Sequence, residues 1–147
     1  ASFLGPIEQP VLRPYTDIGG VQTWCFGQTQ GTPKARYTAQ ECEQDLLRTV
    51  QQYRTALRPY VPSAAPESVQ AAMVSIAYNV GVSGWKHPVL LGPLSRHDWE
   101  ATCAAIVAPW KGKYGVSQGF KATVQGWPSR GLQNRRAAEY RLCMEDL

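Results

Sequence analysis

The chain has 147 residues and a formal net charge of +4, from 15 Lys and Arg against 11 Asp and Glu, enough length for one domain with its own core. Five Trp and seven Tyr in an otherwise ordinary apolar content exclude a disordered polymer. The basic balance favours polyanions in general, but Lys and Arg are scattered, with short clusters only at Lys111–Lys113 and Arg135–Arg136, so a nucleic-acid stripe is not supported.

The opening ASFLGPIEQP has neither the basic nor the apolar region of a signal peptide, although an export or anchor segment could have preceded it. Pro10 and Pro14 limit any helix around Glu8 to a short one. From Tyr15 the pattern turns to strand, is punctuated by Gly19-Gly20, and resumes as the alternating run from Val21 to Phe26. A hairpin here would set Asp17 beside Thr23. A polar loop over 28–37 leads to Thr38-x-x-Glu41, a capping box that opens a helix to Arg58. Its apolar positions Ala39, Cys42, Leu46, Val50, Tyr53 and Leu57 step by three or four and form one stripe.

The proline-rich segment 59–66 marks a lobe boundary. The next helix spans Glu67 to Val80 with Gly81 as C-cap, and being apolar nearly all round it is the expected central helix. The longest uncharged run, Ser68–Trp85, is broken by Gln70, Ser75, Asn79 and two glycines, and reads as core rather than a membrane span. A loop with Trp85 and His87 follows, then a short apolar element carrying Leu90, Leu91 and Leu94. Ser95-x-x-Asp98 is expected to cap a helix that Pro109 stops. Residues 110–130 show little periodicity. Gly131-Leu132 leads into a last helix from Gln133 to Glu145. Trp85, Trp99 and Trp110 are expected in the core, Trp127 as an exposed contact, and His87 and His97 at loops or helix starts. The class is α+β and mostly helical, with one small β element near the start.

Four cysteines, Cys25, Cys42, Cys103 and Cys143, include no CxxC pair and no His at ligand spacing, so no metal site is expected. Two disulfides in an oxidising compartment and four reduced core thiols both fit the count.

Glu8, Asp17 and Thr23 are the candidate chemistry. Glycoside hydrolysis uses one protonated acid and a second carboxylate that activates water or stabilises the cationic sugar. Glu8, with Phe3, Leu4, Ile7 and Val11 nearby in sequence, could retain a proton through desolvation, while Asp17 in a polar turn would stay ionised. Two acids near a hairpin are also an ordinary solvated surface.

The stretch from Glu8 to Gly27 resembles the active-site segment of the phage-type lysozymes, glycoside hydrolase family 24: Glu, eight residues, Asp, five residues, Thr, with aromatic Tyr15 two before the Asp. SIAYNVGVSGW at 75–85 and GLQNRRAAE at 131–139 resemble two later blocks of that family in the same order. The resemblance implies a lysozyme-like single catalytic domain, with a small lobe over about 1–60, a helical lobe over about 61–147 and a long helix joining them. It implies Glu8 as general acid, Asp17 as second carboxylate and Thr23 as its support. Tyr78 and Asn79 would bind substrate. The reaction would be hydrolysis of the β-1,4 bond between N-acetylmuramic acid and N-acetylglucosamine in bacterial peptidoglycan during host lysis, by a monomer without cofactor or metal. Gln9-Pro10 replaces the family's Gly after the acid, Gln28 its loop His, with loss of an ion pair, and Ser83 a common second Gly.

The cysteine positions are similar to those of signal-anchor-release endolysins. That narrower likeness implies action in the host periplasm, with membrane contact only through an N-terminal anchor absent from this chain; cytoplasmic accumulation before lysis is the alternative. Helix order then suggests the pairs Cys25 with Cys42 and Cys103 with Cys143, one of three connectivities. On a strand, Cys25 would share a face with Thr23, so its redox state could touch the site. A lytic transglycosylase relying on Glu8 alone, or a non-catalytic wall-binding antibacterial module, remain alternative readings.

Overall fold

A computed structural model describes residues 10–16, 20–25, 28 and 31–147. The chain divides into two compact units, residues 1–52 and 53–147.

In the first unit, β1 (Val11–Thr16) pairs antiparallel with β2 (Gln22–Cys25), with Tyr15 opposite Thr23 and Thr16 opposite Gln22. The strand therefore begins four residues before the expected Tyr15 and includes Pro14. The register shifts between Val11 and Tyr15, where the proline offers no N–H to the ladder. The alternation expected across residues 21–26 does not survive either. Thr23, Trp24 and Cys25 are all buried, because Cys25 takes a left-handed φ of 55° and turns the backbone out of the strand. Gln28 then closes a bridge, with Trp24 N and Gln28 N each donating to the other's carbonyl at 3.0 and 2.8 Å. The Trp24 ring stacks on Tyr37, centroids 6.3 Å apart.

Helix α1 (Ala39–Leu57) starts at the anticipated capping box. Glu41 N donates to Thr38 Oγ at 3.1 Å, and Thr38 N donates to Glu41 Oε1 at 2.9 Å. Lys34 pairs with Glu41 and, together with the Thr38 amide, holds that carboxylate below its usual pKa. Cys42, Leu46 and Leu57 of the stripe are buried, as is Thr49, while Leu47 on another face is exposed. Cys42 bonds to Cys25, fastening α1 to the end of β2.

The second unit is built around α2 (Glu67–Val80), which packs on α6 (Arg130–Met144) and on the short α3 (Val82–Trp85). Ser68, Val69 and every position from Ala71 to Ala77 are buried, as the run of apolar and small residues foretells. No local side chain caps α2. Asp146, beyond the end of α6, does so instead: its Oδ2 accepts from Ser68 N at 2.9 Å, and Ser68 Oγ donates to Cys143 O at 2.8 Å. The core adds Trp85, whose indole N–H donates to Met73 Sδ at 3.3 Å, with Leu90, Leu94, Ile106 and Phe120.

Several expectations change here. Residues 81–87 are not one loop but contain α3, after which His87 caps α4 (Pro88–Ser95), its Nδ1 accepting from Val89 N at 3.1 Å. Helix α5 (Trp99–Val107) is capped by Asp98, whose Oδ1 accepts from Ala101 N at 3.1 Å, whereas Ser95 donates back to Gly92 O. Helix α6 begins three residues early, because Ser129 supplies its cap, accepting from Leu132 N at 3.2 Å. And residues 110–130 hold two further hairpins, β3 (Pro109–Gly112) with β4 (Gly115–Gln118), and β5 (Thr123–Val124) with β6 (Trp127–Pro128). Strands of two to four residues are too short to show a period. The turn at Gln125-Gly126 has positive φ at both residues, 51° and 87°, with Gln where Asn or Asp usually signals it. Trp85 is fully buried as expected, but Trp99 and Trp110 are only half-buried. Cys103 bonds to Cys143, joining α5 to α6.

Candidate functional site

Glu8 and Asp17 lie outside the described residues. Thr23 lies within them, at the pairing position opposite Tyr15, and is 7% exposed. Its hydroxyl donates to Val21 O at 3.3 Å, and a hydroxyl retains acceptor lone pairs beyond that proton. The strand carrying it is secured one residue further by the Trp24–Gln28 bridge and two further by the Cys25–Cys42 bond.

Gln28, which stands where the resemblance implies a loop His, bonds to α1 through its uncharged amide. Its Nε2 donates to Asp45 Oδ2 at 3.1 Å and to Thr49 Oγ1 at 3.4 Å, and Thr49 Oγ1 donates to Asp45 O at 2.9 Å. The loop after the hairpin is thereby tied to α1 by an amide-to-carboxylate hydrogen bond in place of an ion pair.

In the second unit the predicted substrate-binding pair sits at the C-terminal end of α2. The Tyr78 ring is half-buried and lies parallel to Tyr53, centroids 5.7 Å apart with 3° between planes. Asn79 is exposed, yet it is oriented from behind. Its Oδ1 accepts from Arg136 Nη2, which directs the amide N–H groups away from that contact.

Arg136 in turn is fixed at every donor edge described: Nε to Phe120 O at 2.6 Å and Nη1 to Glu139 Oε1 at 2.6 Å. Glu139 Oε2 accepts from Ser75 Oγ at 2.6 Å and from Arg135 Nε at 3.2 Å, while Arg135 Nη2 reaches Ser75 O at 3.1 Å. Arg136 and Glu139 have no exposed surface, and Arg135 has little. Burial pushes the Arg135 pKa down, and the Glu139 carboxylate opposes that shift. Gly119 makes room for this arrangement: a Cβ there would lie 2.8 Å from Arg136 Cβ and Cγ, and its φ is +145°.

Asn79 forms one wall of an open groove of about 450 Å³ with Val80, Trp110, Lys121, Thr123 and Leu132. An aromatic face, an oriented amide, a hydroxyl and an ammonium group around apolar side chains suit a hydroxyl- and amide-bearing sugar. Trp110, Lys121 and Thr123 were not anticipated as lining, because the strands carrying Trp110 and Thr123 and the turn carrying Lys121 were not legible. A larger cavity of about 660 Å³ lies elsewhere in this unit, with Arg54, Leu57, Tyr60, Gln70 and Val74 in its walls. It contains none of the predicted site residues, and Arg54 there is paired with Glu67. Among the described residues no cluster of His, Cys, Asp and Glu could hold a metal, and no helix is long and apolar enough to cross a membrane.

The family model described as phage lysozyme matches residues 7–139. A SAR-endolysin of Bacteriophage PS119 is 28% identical over 140 residues, covering 94% of this chain and 77% of that protein. The structure is similar to an endolysin from Escherichia coli O157:H7 phage FAHEc1, with a TM-score of 0.78 at 22% identity over 98% of this chain and 89% of that one. It is likewise similar to the active form of P1 phage endolysin Lyz, with a TM-score of 0.79 at 22% identity over 98% and 82% of the two chains.

Proposed function

The chain belongs to the phage lysozyme family and has that family's α+β, lysozyme-like fold, and from that premise we propose that it is a muramidase carrying its reacting groups on Glu8, Asp17 and Thr23. Its function is hydrolysis of bacterial peptidoglycan in phage-induced host lysis. The bond cleaved would be the β-1,4 link from N-acetylmuramic acid to N-acetylglucosamine. The observation that supports this reading best is the extent of the family match, which spans all three residues and both later sequence blocks.

In the proposed reaction Glu8 protonates the leaving glycosidic oxygen as the bond breaks. Asp17, ionised, takes a proton from a water that attacks the anomeric carbon from the opposite face. Thr23 accepts a hydrogen bond from that water or steadies Asp17. No cofactor enters: the proton lost by Glu8 is matched by the one Asp17 receives. Asn79 would offer its amide N–H to a sugar carbonyl in the groove, and Tyr78 would line the cleft. The chain would act as a single catalytic domain and a monomer in the host periplasm.

A turbidity assay on outer-membrane-permeabilised cells tests the assignment. Glu8→Gln and Asp17→Asn should each lower clearing by at least a hundredfold at unchanged melting temperature. Equal clearing by wild type and both variants would sink it and favour a wall-binding module. Product mass separates hydrolysis, which adds a water, from transglycosylation, which leaves an anhydro-sugar and would need Glu8 alone. Inversion would release the α-anomer first.

A further inference from the structure

Between Glu100 and Glu139 the sequence contains no acid, while Lys111, Lys113, Lys121, Arg130, Arg135 and Arg136 all fall in that interval. The two last are consumed internally by Glu139, but Lys111, Lys113 and Arg130 are exposed. The same interval holds Tyr114, Val116, Val124 and Trp127, which are 47%, 56%, 51% and 60% exposed. Such a density of exposed large apolar side chains beside unopposed cations is not what a freely solvated surface selects.

These side chains sit on a built platform. The turns of the two hairpins abut: Tyr114 N donates to Gly126 O at 2.8 Å. A Cβ at Gly112 would meet that same oxygen at 2.7 Å, and one at Gly126 would meet Lys113 Cβ at 2.8 Å, so only glycine allows the approach. The Tyr114 and Trp127 rings consequently stack, centroids 4.8 Å apart and 23° between planes. Lys111 is opposite Val116 and Val124 is opposite Trp127, so each pair shares an outward face, while Ser117 points into the core. Lys113 Nζ lies 5.3 Å from the Tyr114 centroid.

We propose that this hairpin pair is a docking surface for an anionic phospholipid bilayer. Stacked Trp and Tyr with flanking valines are the side chains that gain most by entering the boundary between headgroups and acyl chains. Lysines around them meet the negative headgroups, and no carboxylate within the interval repels them. A glycan site would instead set several directional polar side chains beside the rings, whereas here the rings are flanked by Val116 and Val124, with Gln125 as the amide in the β5–β6 turn. The surface uses none of the residues placed in the groove or the reaction, so it would hold the enzyme beside the membrane while leaving the chemistry unchanged.

Co-sedimentation with unilamellar vesicles tests this directly. The full chain should bind vesicles of phosphatidylglycerol and phosphatidylethanolamine, release them as salt rises, and ignore phosphatidylcholine vesicles. Lys111→Gln with Lys113→Gln should weaken binding about 30-fold, from about fivefold for each lysine. Trp127→Ala should weaken it further, with melting temperature and clearing of lipid-free sacculi retained; should that variant melt, the lysine pair alone decides. No binding to anionic vesicles, equal binding to neutral ones, or unchanged binding by the lysine variant each overturns the proposal. Loss of sacculus binding in these variants, with vesicle binding intact, would instead assign the surface to the wall polymer.

Discussion

Glu139 holds two guanidinium groups in the interior of the second unit, so its negative charge is what makes that burial tolerable. Removing one partner of a buried ion network leaves the others uncompensated, at a cost of about 3–5 kcal/mol. Glu139→Gln should therefore lower the urea midpoint by that equivalent with the denaturant slope unchanged. A surface pair would scarcely register in the same measurement. In sequence Arg135 and Arg136 read as a short basic cluster and were not paired with Glu139, although the three stand at spacings that meet on a helix. Their burial was not legible, because the inward stripe of α6 is polar where the usual rule expects apolar side chains. Nor did the sequence reveal that Asn79, read as a sugar ligand, is set by Arg136 from the rear. Contacts between residues that far apart along the chain leave no local periodicity to read.

At the scale of elements, legibility followed length. Helices α1 and α2 were placed within a residue because many turns of consistent pattern and recognisable ends define them. The helix start at Trp99 was blurred by two candidate cap residues, Ser95 and Asp98, and that at Arg130 by Gly131, which reads as a break before the helix. The hairpins of 109–128 escaped because strands of two to four residues carry no pattern. The unusual case is α2, whose N-terminal amide is satisfied by Asp146 rather than by a neighbour. Losing a cap costs about 1 kcal/mol. Asp146→Ala should show that loss in thermal melting, and Asp146→Asn, which keeps an acceptor oxygen, should restore most of it.

For the whole molecule, the two disulfides each close a loop inside a single unit, with separations of 17 and 40 residues. Loop-closure entropy assigns them about 3 and about 4 kcal/mol. Reduction should accordingly lower the melting temperature markedly, and Cys103→Ala with Cys143→Ala should cost more than Cys25→Ala with Cys42→Ala. If instead the Cys25–Cys42 pair dominates, native geometry and not chain entropy governs the hairpin's hold on α1. The capping of α2 by Asp146 carries a further consequence, one of timing. A ribosome delivers Ser68 long before Asp146, so the central helix is made with its first turn unfinished. The helix can form before then, but the start of its first turn gains this partner, worth about 1 kcal/mol, only once residue 146 has emerged, so the final increment of its stability arrives with the end of α6.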